Sequence, residues 1–336
     1  MNPFKQYLSL MAILFVAVSC TRDVELPNSN VTLFDTFWKY IDEHYIFVKE
    51  QKVNWDSIYI SYRPKFLDAT TDNEVDSLFT QILSYVGDDN LLLKKGSIVA
   101  YRKADRNVNF FKFSLTSAYY KFYNVFQYEG FSIAQMPENI TYIHIAGVDD
   151  EYYSNIAKRI SNYNHSKGIV IDLRANGGGC VNDLDLVKLF FDGSRTLYYS
   201  RLKTGIDNNS YSDYIPTVIK GDGIIDKSIP IVVLVSSNTY SHGNLLAYCL
   251  RSLSNVTIVG DNTRGGSIGG ILTVVMPNGW YLDYSIVKLF SLSKQSIEFG
   301  LEPDIKVVPS ENYWYEEYLQ TGKDIQLEEA LKFLHN

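Results

Sequence analysis

From residue 32 to residue 90 the apolar positions follow helical spacing. Leu33, Phe34, Phe37, Trp38, Ile41 and Tyr45 fall on one face of a first helix. Asn54 is placed to cap a short helix from Trp55. Thr71 or Asp72 is placed to cap another, whose Val75, Leu78, Phe79, Ile82, Leu83 and Val86 share a stripe. Between Leu91 and Pro137 the pattern breaks into aromatics and short alternations, which reads as a small irregular β region over 91–138. From Asn139 to the end at 336, buried strands alternate with helices. Ile140–Ile145 reads as a strand, followed by a helix capped at Asp149-Asp150 and running to Tyr163. Gly168–Asp172 is a buried strand leading through a glycine turn to a helix over Val181–Phe191. Ile229–Val235 is another, leading to a helix over Ser241–Leu253. Val256–Val259 and Ile271–Met276 continue the sheet, and Gln326–Leu334 forms a last helix. Apolar strands alternating with helices imply an α/β core.

The first twenty residues read as an address. Lys5 precedes an apolar stretch from Tyr7 to Val18 that ends in Ser19-Cys20. That stretch is short for a bilayer span and has a small residue before the cysteine. It resembles a bacterial lipoprotein signal cut before Cys20, whose thiol then carries the lipid. Ala17 stands where such signals usually have a larger aliphatic residue, and the bland alternative is a buried N-terminal helix. Residues 21–31 are polar and read as a tether. No later segment has 18 uncharged apolar residues. The expectation is therefore a globular body held by lipid to a bacterial envelope membrane, inner or outer.

Composition narrows the chemistry. With 31 basic and 38 acidic residues the formal net charge is −7, which argues against a nucleic-acid partner. Besides Cys20 there are Cys180 and Cys249, too few for a disulfide framework and read as small buried apolar residues. No metal-ligand spacing and no cofactor motif is present.

Two strand-to-helix turns carry the candidate chemistry. The first is Asp172-Leu-Arg174-Ala-Asn176-Gly-Gly-Gly179, whose glycines let backbone N–H groups approach an anion. The bland reading is a tight turn held by an Asp172–Arg174 pair. The second is Ser236-Ser-Asn-Thr-Tyr-Ser241-His242-Gly243-Asn244, which puts a serine hydroxyl at the C-terminal edge of the sheet and the start of a helix. Its bland reading is an ordinary N-cap serine.

Together the turns resemble the C-terminal processing (tail-specific) serine peptidases. Gly260-Asp-Asn-Thr263-Arg-Gly-Gly266 and Gly300-Leu-Glu-Pro303-Asp304-Ile305 match the same family. Phe37-Trp38, Asn54-Trp55-Asp56 and Tyr62-Arg-Pro-Lys65 look like the helical region of its lipoprotein branch. The resemblance implies a crotonase/ClpP-like α/β core of the tail-specific protease type, with an N-terminal helical subdomain. It also implies Ser241 as nucleophile, and an oxyanion hole made by the His242 N–H with that of Gly178 or Gly179. The substrate would be a peptide or protein.

The chain departs from this family at the base. In one branch a lysine follows a Gly-x-x-Thr-x-Gly stretch, and that position is Gly266; Arg264 nearby never deprotonates. A second branch, resembling the tricorn core protease, uses a histidine in an Asp-Gly-His-like turn with a downstream glutamate. The matching turn Gly87-Asp88-Asp89-Asn90 has Asn90 there, while Glu298 matches the glutamate. Of the five histidines, His144 is the candidate base and Glu298 its possible orienter. His44, His165 and His335 read as surface or packing residues, and His242 is too close to Ser241 in sequence to serve. No PDZ-like carboxylate nest stands out between Leu91 and Pro137. Two readings follow: an envelope serine peptidase acting through an acyl-enzyme on Ser241, or a base-depleted relative that binds peptides. A crotonase-type acyl-CoA enzyme is disfavoured by the export signal.

Overall fold

The computed structural model describes residues 29–48, 53–88, 91–101, 120–128, 130–147, 150–163, 165–179, 184–207, 209–266 and 270–335. Cys20, Asn90 and Cys180 lie outside them, as do the signal segment and residues 102–119.

Three helices come first: α1 (Asn30–His44), α2 (Trp55–Asp68) and α3 (Asp72–Val86). Asn54 caps α2 by accepting from Ser57 N, as its position predicts. Thr71, rather than Asp72, caps α3, because Glu74 three residues on completes a capping box with it. A hairpin follows, β1 (Leu92–Lys95) and β2 (Ile98–Ala100), then β3 (Tyr123–Tyr128), β4 (Phe131–Met136) and β5 (Ile140–Ile145). The alternating section runs α4 (Asp150–Ile160), β6 (Gly168–Asp172), α5 (Leu184–Lys188), β7 (Asp192–Leu202), β8 (Ile215–Asp222), β9 (Ile231–Val235), α6 (His242–Arg251) and β10 (Val256–Gly260). The last part is β11 (Ile271–Val275), β12 (Tyr281–Ser285), β13 (Val287–Phe290), β14 (Ile305–Lys306), α7 (Tyr313–Thr321) and α8 (Ile325–His335).

The central sheet has the order β14-β10-β9-β6-β5-β4-β3. Its strands from β14 to β5 run parallel, and β4 and β3 are antiparallel additions. β5, β6 and β9 are buried at every residue, which is why they read as unbroken apolar runs. Strand alternation sends Ile143, Ile171 and Val233 to one face, where Ile156, Leu186, Leu246 and Leu250 of α4, α5 and α6 cover them. Tyr142, Val170, Val232 and Leu234 point to the other face, under Leu327 and Ala330 of α8.

The segment boundaries drawn from the sequence shift in two places. The described residues of 91–138 do not form a region of their own. β1 and β2 join β12 and β11 in a four-stranded antiparallel sheet, whereas β3 and β4 extend the central one. β11 accordingly does not continue the central sheet. Its inward residues Leu272 and Val274 pack instead on the core of α1–α3, with Trp280 and Leu282 buried among the helices. The expected helix over Val181–Phe191 is, among the described residues, the single-turn α5. β7 and β8, with β13, form a third small sheet, and α7 precedes α8; neither was foreseen from the pattern.

Candidate active site

The glycine turn leaves β6 at Asp172 and folds back on itself. Arg174 N donates to Asp172 Oδ1 at 3.0 Å, and the Arg174 guanidinium reaches the same carboxylate through Nε (3.0 Å) and Nη2 (2.6 Å). Burial disfavours charge on Asp172, but Arg174, His144 and the Tyr142 hydroxyl outweigh it and hold the carboxyl below its ordinary range. Asn176 then turns the chain, its Oδ1 accepting the Gly178 N–H at 3.0 Å.

The second turn is laced to the first. Ser236 Oγ donates to the Arg174 carbonyl at 2.7 Å, and Thr239 Oγ1 donates to that of Leu173 at 2.8 Å. Tyr240 N donates to the Asn176 carbonyl at 3.0 Å. These bonds bring Ser241 beside Gly178, some sixty residues away in sequence. A Cβ built on Gly178 would stand 2.9 Å from Ser241 Cβ, 3.3 Å from its Oγ and 3.4 Å from His242 N. The backbone there requires glycine, at φ +101°.

Ser241 occupies φ 53° and ψ −124°, a conformation that is costly for any residue with a Cβ. Its N–H donates to the Gly265 carbonyl at 2.8 Å, and its own carbonyl opens α6 by accepting from Leu245 N at 3.1 Å. It stands at the N-cap, yet its hydroxyl makes no capping bond, so the ordinary cap reading does not apply. A strained, uncommitted serine at a helix start, facing a glycine backbone, is the geometry of a nucleophile elbow.

Of the expected oxyanion donors, Gly178 is corrected. Its N–H is spent on Asn176 Oδ1, and its Cα side is what faces Ser241. His242 N lies within the same small space, and Gly179 follows at φ +149°.

The third wall is Thr263–Gly266. Thr263 Oγ1 donates to Asn244 Oδ1 at 2.6 Å, and Gly266 N donates to the Glu298 carbonyl at 2.9 Å. Gly266 sits at φ +105°, and a Cβ there would overlap the Tyr240 ring edge at Cε2. The Tyr240 ring thus fills the space into which a side chain at the lysine-branch position would project.

The expected base is corrected as well. His144 pairs in register with Ser132 and Asp172, in a row that ends on Leu234. That row belongs to the face under α8, opposite the face that carries α6. Burial, reinforced by Arg174 and opposed by Asp172, pushes the imidazole down to about 4. Glu298 lies on the α6 side, where its Oε1 accepts from Leu289 N at 3.4 Å. It therefore cannot orient His144. His165 and His335 stand by the N-terminal ends of β6 and β5, away from Ser241, and the His44 ring meets that of Tyr40 at a tilt. Cys249 is buried in α6, as expected of a small apolar residue.

Lys288 escaped the sequence reading. It is buried on β13, with Nζ 5.7 Å from the Phe47 ring and 5.7 Å from the Phe290 ring. Phe47 packs on Tyr45, whose hydroxyl donates to Asp88 at 2.8 Å, in the turn that matches the tricorn-like histidine turn. A lone lysine in an otherwise apolar strand was the available signal.

An α/β core thus carries a strained serine over a glycine turn at the C-terminal edge of its parallel strands. The chain belongs to peptidase family S41, whose model matches residues 139–307, and residues 29–84 match the tricorn protease C1 domain. It is 26% identical over 207 residues to the tricorn protease of Thermoplasma volcanium, covering 58% of this chain and 17% of that protein. To the chloroplastic carboxyl-terminal-processing peptidase 3 of Arabidopsis thaliana it is 32% identical over 140 residues, 41% of this chain and 25% of that one. The chain thus spans a quarter or less of the length of these two relatives. A solved structure of a candidate peptidase from Parabacteroides merdae shares the fold, with a TM-score of 0.76 at 23% identity over 92% of this chain and 97% of that one.

Proposed function

We propose that this S41 protein is a serine-type peptidase in which Ser241 attacks a peptide carbonyl and carries the acyl group. The N–H groups of His242 and Gly179 stabilise the developing oxyanion, and Gly178 lets the substrate carbon approach. The observation that carries the reading is the backbone of Ser241 at φ 53°, ψ −124°, a strained conformation that sets its hydroxyl beside the Gly178 turn. The general base sets the rate. Gly266 and Asn90 fill the two family positions, so Ser241 reacts with activated electrophiles far faster than it turns over peptides; a positioned base contributes about 10²–10⁴-fold. Lipidation at Cys20 would hold the peptidase at the bacterial cell envelope; Cys20→Ala should then release it from the membrane fraction.

A fluorophosphonate probe tests the nucleophile. Wild type should label stoichiometrically and Ser241→Ala not at all; equal labelling of both would end the assignment. A second reading, a lipid-anchored peptide-binding protein with a silent site, is favoured by one observation, the Tyr240 ring standing where a base side chain at 266 would project. Tight peptide binding with no labelling of Ser241 would decide for it.

A further inference from the structure

Arg174 is wholly buried, and each of its guanidinium N–H groups has a partner. Nε and Nη2 hold Asp172. Nη1 donates to Asp324 Oδ1 at 2.8 Å and to Gln326 Oε1 at 3.1 Å, while Nη2 stands 2.7 Å from Asp324 Oδ2. Asp324 therefore grips the guanidinium with both oxygens, a fork-on-fork pair that fixes orientation as well as charge. It lies 150 residues from Arg174, at the start of α8, and its Oδ1 also accepts from Gln326 N (3.1 Å) and Leu327 N (3.0 Å). Its main chain is pinned in turn, with Asp324 N donating to Tyr120 Oη at 2.9 Å.

The other end of Arg174 is the glycine turn. Its carbonyl accepts from Ser236 Oγ, and two residues on the Asn176 carbonyl accepts from Tyr240 N, the residue before Ser241. A continuous run of buried polar contacts thus leads from α8 to the serine. We propose that Asp324 is a positioning residue for the active site. Through Arg174 it holds the Asp172–Gly179 turn at the distance from Ser241 that oxyanion stabilisation needs, which makes the C-terminal helical segment part of the catalytic scaffold. This rests on Ser241 acting as the nucleophile.

The test compares Asp324→Asn, which keeps an oxygen for the α8 cap but removes the charge, with Leu327→Ala, which weakens the same helix without touching Arg174. Two readouts are taken on the full chain: the maximal rate of fluorophosphonate labelling, and amide hydrogen exchange in residues 173–179. Asp324→Asn should slow labelling about tenfold or more at saturating probe, with the half-saturating probe concentration unchanged, and quicken exchange in 173–179 by about tenfold. Leu327→Ala should do neither beyond its global loss of stability. If Asp324→Asn does not fold, Gln326→Met, which removes a single Arg174 acceptor, should shift both readouts in the same direction. Unchanged exchange in 173–179, or the same changes in Leu327→Ala at equal loss of Tm, would overturn the proposal. The exchange arm reads Asp324 whether or not Ser241 labels, and absence of labelling in wild type counts against the nucleophile alone.

Discussion

The helical body and the Ser241 edge of the central sheet are both buried, and different forces hold them. Around α1–α3 the core is mainly apolar, with polar links such as Arg63–Asp35 at its margin: Phe34 stacks on Phe66 at 4.6 Å, Phe37 meets Phe79 at 5.0 Å, and Phe79 meets Trp280 at 5.8 Å. At the Ser241 edge the enclosed groups are Asp172, Arg174, Asn176, Thr239 and Asn244, each 0% exposed. An apolar core degrades gradually, because each methylene contributes on its own. A buried polar network does not, since removing one partner leaves the other desolvated and unpaired. The edge gives up tolerance to substitution and gains a fixed place for one serine.

The sharpest way to break this contrast is a pair of substitutions to methionine. Arg174→Met strands the Asp172 and Asp324 carboxylates and should cost about 3–5 kcal/mol or prevent folding. Leu83→Met, in the helical body, should cost less than about 1.5 kcal/mol. Urea unfolding measures both, and similar losses would show that the two regions are held alike.

A second effect separates the regions by pH. His144 has its pKa lowered from 6.5 to about 4, chiefly by burial, so the folded state favours the neutral ring. The unfolded chain binds the proton first. The stability that neutral His144 confers is therefore complete above pH 6.5 and is lost as pH falls toward 4. At 1.36 kcal/mol per pKa unit the loss approaches about 3 kcal/mol. Unfolding free energies at pH 7 and pH 5 should differ more in wild type than in His144→Gln. An equal difference in both would mean the ring titrates freely.

How much of this was legible follows the same division. β5, β6 and β9 could be read because burial on both faces leaves unbroken apolar runs, and Asn54 because capping is local. The partnership of β1 with β12 could not be read, since it joins Leu93 to Leu282 across the chain and no local pattern encodes it. The face of His144 was readable in principle: the apolar Ile143 and Ile145 claim the side that α4, α5 and α6 cover, so their neighbour must point to the other face. The capture of the Gly178 N–H was readable too, as an Asn two residues before a glycine is an Asx-turn signal. Asp324 carried no signal; it is one aspartate among many until the fold delivers it to Arg174.

The obvious repair of the missing base probes the edge directly. A lysine at 266 would need φ +105° and would collide with Tyr240. Gly266→Lys should therefore fail to raise peptide turnover, and Gly266→Ala alone should cost about 1–3 kcal/mol. Robust turnover in Gly266→Lys would show that Tyr240 yields readily and that this edge is softer than its hydrogen bonds imply.

The smallest effect tests whether damage stays local. Thr71 accepts from Glu74 N while Glu74 accepts from the Thr71 and Thr70 N–H groups, holding Glu74 below its ordinary carboxyl range. Thr71→Ala removes the hydroxyl half of this box and should cost about 1 kcal/mol, with Thr71→Ser nearly neutral. Because α3 packs mainly through apolar side chains and, among the described residues, has no part in the hydrogen-bond run from Asp324 to Ser241, the loss should appear in Tm and leave the rate of fluorophosphonate labelling unchanged. A labelling rate that fell with the cap would tie the helical body to the serine and dissolve the distinction between the two regions.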